Sequence, residues 1–248
     1  MSDWIQGRVI SRIAWNSIHF SLRIECERAN FIAGQFLRVG LDIDGVRVTR
    51  PYSCVNPPHQ AGVEIFFNTV PEGNLSHRLA QLQPGDEVWL SKHMHGFLTL
   101  PDVPVQARDL WMVATGTGVG PFLSILQTKE PWQRFERVVL AYGVRDLQHY
   151  CYPQLLEEVL AKQPQRLRIV PCITAHAPET GFHGRVTEAL SSGALEEIAE
   201  RQIDPALSHF MLCGNQEMIR EFSDLLKARG LRRHLRREPG QISSEKYH

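Results

Sequence analysis

Three short stretches of this sequence combine residue types that suit binding and redox chemistry better than packing. Ala114-Thr115-Gly116-Thr117-Gly118-Val119-Gly120-Pro121 directly follows an apolar run. Its glycines let the backbone approach a ligand closely, and a helix opening at Pro121 turns free N–H groups toward an anion. A pyrophosphate needs that arrangement. The spacing is not GxGxxG and no Gly-Lys-Ser/Thr follows, which sets aside a P-loop kinase or NTPase. The plainer reading is a turn feeding a helix; the position after a strand favours a ligand. Arg50-Pro51-Tyr52-Ser53 places a cation, a planar ring and a hydroxyl within four residues, a set suited to an anionic ligand with an aromatic system. Arg50 and Tyr52 share a strand face unless Pro51 distorts it. In isolation the same residues read equally well as an edge strand beside a turn. Cys213-Gly214-Asn215-Gln216-Glu217-Met218 closes the set. Cys213 reads either as a small buried apolar residue or as a site residue with room opened by Gly214, and Asn215 can cap the next helix. Arg145 and Arg185, the latter after Gly181-Phe182-His183-Gly184, add cations from loops.

These stretches need elements to hold them, and the chain changes texture near residue 100. Before it, period-two runs predict strands at 8–13, 17–24, 35–39, 46–49, 63–70 and 87–90, separated by turns such as Asp44-Gly45 and Pro84-Gly85-Asp86. Spacings of about ten residues suggest a small antiparallel barrel. One short helix is expected over 74–81, with Asn74 as its cap. Leu100-Pro101-Asp102-Val103-Pro104 reads as a linker. After it, apolar strands at 110–114, 137–142, 167–173 and 209–213 alternate with helical patterns at 120–127, 147–162, 186–200 and 216–228. That alternation predicts a parallel sheet covered on both faces. The expected division is 1–101 and 102–248, with the site between the two domains.

Composition narrows the class. The chain has 248 residues, 43% hydrophobic and 22% charged, so it is neither disordered nor low in complexity. Lys plus Arg equals Asp plus Glu at 27 each, which argues against a nucleic-acid binder. No apolar run is long enough to span a bilayer, and the N-terminus lacks a signal-peptide core. Five scattered cysteines form neither a disulfide framework nor a metal motif, so no metal is expected. A reduced, cytoplasmic location follows.

The ordered set Arg50-Pro51-Tyr52-Ser53, Gly116-Thr117-Gly118-Val119-Gly120-Pro121 and Cys213-Gly214-Asn215-Gln216-Glu217-Met218 resembles the ferredoxin–NADP reductase family. The tail Ser244-Glu245-Lys246-Tyr247-His248, and the segment 231–240 before it, are similar to its bacterial ferredoxin (flavodoxin) branch. The resemblance implies an N-terminal antiparallel β-barrel that binds FAD and a C-terminal parallel α/β sheet that binds NADP(H). It implies Arg50 on the FAD pyrophosphate, with Pro51 beside it, Tyr52 flanking the isoalloxazine and Ser53 near flavin N5. Phe67, Asn68 and Thr69 would line the flavin, and Asn74, Leu75 and Ser76 would open a helix supporting the FAD phosphates. Thr117 would sit where flavin and nicotinamide meet, and Cys213 against the nicotinamide. Gly116, Gly118, Thr174, Gly214 and Asn215 would border the NADP, with Arg145 and Arg185 on its phosphates. The tail would return to the flavin, Tyr247 stacking on its other face and His248 near the adenine.

Two departures stand out. Relatives commonly carry Ser-Arg where this chain has Thr174-Ala175, leaving Arg185, with His176, to meet the adenosine 2′-phosphate. His248 stands where close relatives often end in tryptophan. The implied activity moves hydride between NADPH and FAD and single electrons between FAD and ferredoxin or flavodoxin, in a protein that is typically monomeric. The alternative is an NAD(P)H-dependent flavoprotein reductase feeding an oxygenase or a ferric siderophore. Arg229–Arg237 holds five arginines and one histidine and reads either as a solvated basic tail or as a docking patch for an acidic carrier.

Overall fold

The computed structural model describes residues 3–27 and 30–246. It divides into two units, one running to Gly96 and including Gly120–Gln127, the other made of Phe97–Val119 and the chain from Thr128 on.

In the first unit, period-two alternation becomes β1 (Trp4–Ala14), β2 (His19–Glu25), β3 (Phe36–Ile43), β4 (Val46–Ser53) and β5 (Val63–Asn68). Helix α1 (Asn74–Gln81) and β6 (Glu87–Ser91) follow. Every pairing is antiparallel, in the order β4-β3-β6-β1-β2-β5. The ends of that order meet, because Cys54 bridges Ile65 and the Val55 N–H donates to Glu64 O at 2.9 Å. The sheet is therefore curled into the barrel that the sequence predicted. Leu22, Ile24, Leu37, Val39, Ile65, Leu79 and Leu90 fill it, each contributing about 1.5–3 kcal/mol by leaving water. The register of β1 on β2 shifts between Val9 and Ser11, a bulge that turns Ile10 out to solvent.

The second unit opens with β7 (Asp109–Thr115), after which a tight turn at Gly116–Val119 leads into α2 (Gly120–Leu126). By its contacts this helix groups with the first unit. Ser124 Oγ donates to Asn56 O at 2.7 Å, and Gln127 Nε2 donates to Val55 O at 2.9 Å. Then come α3 (Glu130–Arg134), β8 (Arg137–Val144), α4 (Pro153–Lys162), β9 (Leu167–Ile173) and β10 (Phe182–His183). Helices α5 (Val186–Ser191) and α6 (Ala194–Ala199), β11 (Ser208–Gly214), α7 (Gln216–Ala228) and β12 (Ile242–Lys246) complete it. All six strands run parallel in the order β10-β9-β8-β7-β11-β12. The chain moves outward from β7 to β10 and then crosses back to β11. The switch point of the sheet therefore lies between β7 and β11. Trp111 and Phe210 stack at 5.5 Å in the core beneath it, with Phe222 against Phe210.

Several local expectations change. The helix predicted over 186–200 is two helices, broken at Gly193 with φ of +84°. The one predicted from Leu147 begins at Pro153, where proline's fixed φ suits a first turn. The Leu100–Pro104 stretch is clamped rather than loose. Arg134 donates to the carbonyls of Leu100, Val103 and Pro104 at 2.5, 2.5 and 2.9 Å, and Leu100 and Val103 are buried. No helix among the described residues is long and apolar enough to cross a membrane.

Candidate active site

In the barrel unit the candidate residues gather along β4, the end of β5 and the start of α1. The β3–β4 register runs unbroken through Val39↔Arg50, Arg38↔Pro51, Leu37↔Tyr52 and Phe36↔Ser53. Pro51 does not distort the strand, since β4 lies at the end of the sheet order and proline's missing N–H costs no ladder bond there. Arg50 and Tyr52 therefore share a face. Arg50 is exposed and donates to Thr49 O at 2.9 Å, with no carboxylate paired to it among the described residues. Tyr52 meets Phe67 edge-on at 5.8 Å, and Phe67 stacks with Phe20 at 6.1 Å. Burial pushes the Tyr52 hydroxyl up to about 12 against the pull of the Arg50 guanidinium, so it stays neutral. Ser53 is buried at the strand end. Asn68 is half-buried and donates to Thr69 O at 3.3 Å, while the Thr69 N–H donates to Ile18 O at 2.8 Å.

Helix α1 begins without a side-chain cap. Its N-cap is Gly73 rather than Asn74, and no acid lies in its first turn. Asn74 instead accepts from Arg78 Nε at 3.1 Å, one helical turn on, and Ser76 Oγ accepts the Val70 N–H at 3.1 Å. Helix α1 touches β4. An open helix N-terminus, an unpaired guanidinium and an aromatic face on adjacent elements fit a dinucleotide with a flat ring system.

In the sheet unit the two glycine loops meet at the switch point. Thr115 closes β7, and its Oγ1 accepts the Asn215 N–H from the end of β11 at 2.9 Å. A Cβ on Gly118 would lie 2.5 Å from Cys213 O and 2.7 Å from Gly214 Cα. Gly214, at φ of +133°, presses against Thr115 Oγ1 and backbone. Glycine is required at both positions because the two strand-end loops touch through their main chains. Sequence reasoning missed Thr115 as the tie between the loops. The available signal was a hydroxyl on the last residue of an apolar strand before glycines. Asn215 caps α7 as expected, its Oδ1 accepting from Glu217 N at 2.8 Å and Met218 N at 3.2 Å. Cys213 is fully buried and registers with Ala114 of β7 and Glu245 of β12. Gly116 and Thr117 occupy the half-buried turn beside it.

Arg145 follows β8, and its carbonyl accepts the Ala175 N–H at 2.8 Å, which ties Thr174-Ala175-His176 to the same carboxyl edge. Arg185 precedes α5, and its backbone N–H donates to Glu188 Oε2 at 2.7 Å. Both arginines are exposed and neither is paired with a carboxylate among the described residues. The expected sites at Tyr247 and His248 lie outside the described residues.

Residues 8–93 match the oxidoreductase FAD-binding domain, and residues 112–224 match the oxidoreductase NAD-binding domain. The flavodoxin/ferredoxin–NADP reductase of Escherichia coli is 40% identical over 221 residues, 89% of each chain. The chain belongs to the flavodoxin/ferredoxin–NADP reductase family. A ferredoxin–NADP reductase of Azotobacter vinelandii is 34% identical across 99% of this chain and 98% of its own. The crystal structure of a ferredoxin NADP+ reductase from Neisseria gonorrhoeae with bound FAD and NADP is similar throughout. Its TM-score is 0.92 at 30% identity, covering 99% of both chains. The two units are thus the FAD-binding and NAD-binding halves of a family oxidoreductase.

Proposed function

We propose that this enzyme passes reducing equivalents between NADPH and ferredoxin or flavodoxin, acting as a monomer in the cytoplasm. When bound, FAD supplies the exchange between a two-electron hydride donor and a one-electron carrier. In the barrel unit, Arg50 and the open N-terminus of α1 bind its phosphates, and Tyr52, Phe67, Asn68 and Thr69 border its ring. Ser53 offers a hydroxyl near flavin N5. In the sheet unit, Gly116 leaves backbone open to the nicotinamide dinucleotide and Gly118 and Gly214 let the two loops that border it close on each other, while Thr117 and Cys213 flank its reactive end. Arg145 and Arg185, with Thr174 and Asn215 beside them, hold its phosphates. Tyr247 belongs to the same reading as the residue that covers the flavin at rest.

The observation that carries this reading is the meeting of Thr115, Gly118 and Gly214 at the switch point of a parallel sheet. Two unpaired arginines on the same carboxyl edge supply the charge that phosphates require. The test is anaerobic reduction of cytochrome c by NADPH with and without added flavodoxin. Turnover that depends on the flavodoxin is expected; turnover equally fast without it would overturn the proposal.

A further inference from the structure

We propose, resting on the NADPH reading above, that His176 and His183 join Arg145 and Arg185 around the adenosine 2′-phosphate of the nucleotide. The preference of this chain for 2′-phosphorylated over unphosphorylated nucleotides then strengthens as pH falls from about 8 toward about 6.5.

Three adjacent strand ends bring these four side chains to one edge. Arg145 follows β8, His176 lies just past the end of β9, and His183 closes β10 shortly before Arg185. The strands neighbour one another in that order, with His183 in register with Ile173 at the end of β9. Neighbouring strands lie about 4.8 Å apart, so the three ends span about 10 Å, a width that long side chains can close around one phosphate. Main-chain bonds lock the loops together. The Ala175 N–H donates to Arg145 O at 2.8 Å, the Thr174 N–H to Val144 O at 3.3 Å, and the Gly184 N–H to Ile173 O at 2.9 Å. Gly184, at φ of +142°, has no room for a Cβ, which would lie 2.6 Å from both the Phe182 ring and Glu188 Oε2. Phe182 packs on the core, and alternation along β10 turns His183 the other way, where it is exposed. His176 is half-buried.

The carboxylates on these loops are occupied or peripheral. Asp146 Oδ1 accepts the Gln148 N–H at 3.2 Å, and Glu188 Oε2 accepts the Arg185 N–H at 2.7 Å. Glu179, the acid of the 174–181 loop, is exposed to solvent. Arginine carries a fixed charge, whereas an imidazole gains its charge between about pH 8 and 5. A phosphate monoester takes up its own proton near pH ~6 and so weakens as an anion on acidification. The two effects have opposite signs. Around arginines alone, preference for the 2′-phosphate stays flat or falls as pH drops. Around histidines it rises, because each imidazole binds a proton more readily beside the anion. A nucleotide without the 2′-phosphate presents no anion at this position.

The test needs no turnover. Adenosine 2′,5′-bisphosphate and adenosine 5′-monophosphate are titrated calorimetrically into the FAD-loaded full chain, in dilute buffer from about pH 8 to about 6.5. The ratio of the two affinities should rise about two- to fivefold toward the acid end. At pH ~7 the bisphosphate should bind with more proton uptake than the monophosphate, read by comparing buffers of different ionisation enthalpy. His176→Asn combined with His183→Asn should keep a preference for the bisphosphate, supplied by the arginines, but the ratio should no longer rise and the extra uptake should vanish. A wild-type ratio that is flat or falls toward acid would overturn the histidine assignment while leaving the NADPH reading intact. A full rise surviving in the double variant would overturn it as well, by placing the titrating groups elsewhere. Equal affinity for the two nucleotides at every pH would overturn both, since no 2′-phosphate subsite would exist.

Discussion

Helix α1 in the barrel unit and helix α7 in the sheet unit both start beside candidate ligand groups, and they start in opposite ways. Helix α1 begins at an uncapped Gly73 with no acid in its first turn, so its leading N–H groups and dipole are available to a phosphate. Helix α7 is closed by Asn215, which occupies the N–H groups of Glu217 and Met218, and Glu217 adds a negative charge. The barrel unit therefore offers preorganised backbone donors together with Arg50. The sheet unit offers a neutral main-chain framework, and its charge comes from the exposed side chains of Arg145 and Arg185. Fixed donors hold an anion without ordering a side chain, whereas long arginines lose rotamer freedom on binding. That difference suits a resident FAD in one unit and an exchanging NADP in the other.

The largest effect is expected at Gly118. A Gly118→Val side chain would drive into the Cys213 carbonyl, where the backbone cannot yield cheaply. NADP binding should be lost while FAD stays bound to the barrel, as read by fluorescence titration and flavin absorbance.

Acid should also separate the two units. Burial holds the His209 imidazole down at about 3, helped by His234 and Arg134. The unfolded chain therefore binds more protons between about pH 6.5 and 3, and stability falls as pH falls through that window. The loss reaches on the order of 5 kcal/mol, lessened by Glu245, which burial pushes up and which works in the opposite direction. Amide hydrogen exchange of the β7 and β11 backbone should show the sheet unit weakening on acidification, with a smaller acid effect in His209→Leu.

Arg50→Ala should weaken FAD binding roughly ten- to a hundredfold, the worth of a charge-assisted hydrogen bond. Retention of FAD through gel filtration in dilute buffer checks it. Asn215→Ala should cost about 1 kcal/mol of stability by uncapping α7, measured by urea unfolding. Asn74→Asp should have the smallest effect. It should raise the stability of the FAD-free protein by a few tenths of a kcal/mol and weaken FAD binding by a few-fold, because the new carboxylate competes for the α1 dipole.

The parts of this molecule most legible in sequence were those governed by local pattern. Alternation located the barrel strands, and apolar runs located the core strands of the second sheet, because side-chain period reports which faces are buried. The glycine loops were legible because backbone contact leaves glycine no substitute. What escaped depends on tertiary partners. Ile242–Lys246 has one large apolar residue and becomes a strand only because β11 offers it a parallel edge. Asn74 is a good cap by type, yet the cap position falls on Gly73 and the Asn74 amide oxygen serves Arg78 instead. The Leu100–Pro104 stretch looks like a linker until Arg134, some thirty positions on, takes its carbonyls.

The central claim is that one chain binds FAD in its barrel and reduces it with NADPH bound at the sheet's switch point. Its most direct test is the visible spectrum of the FAD-loaded protein, followed anaerobically through separate additions of NADPH and NADH. The flavin band should bleach at lower NADPH than NADH concentration, with Arg145 and Arg185 supplying the discrimination despite Ala175. A protein that takes up no FAD, or whose flavin band neither nucleotide bleaches, would contradict it.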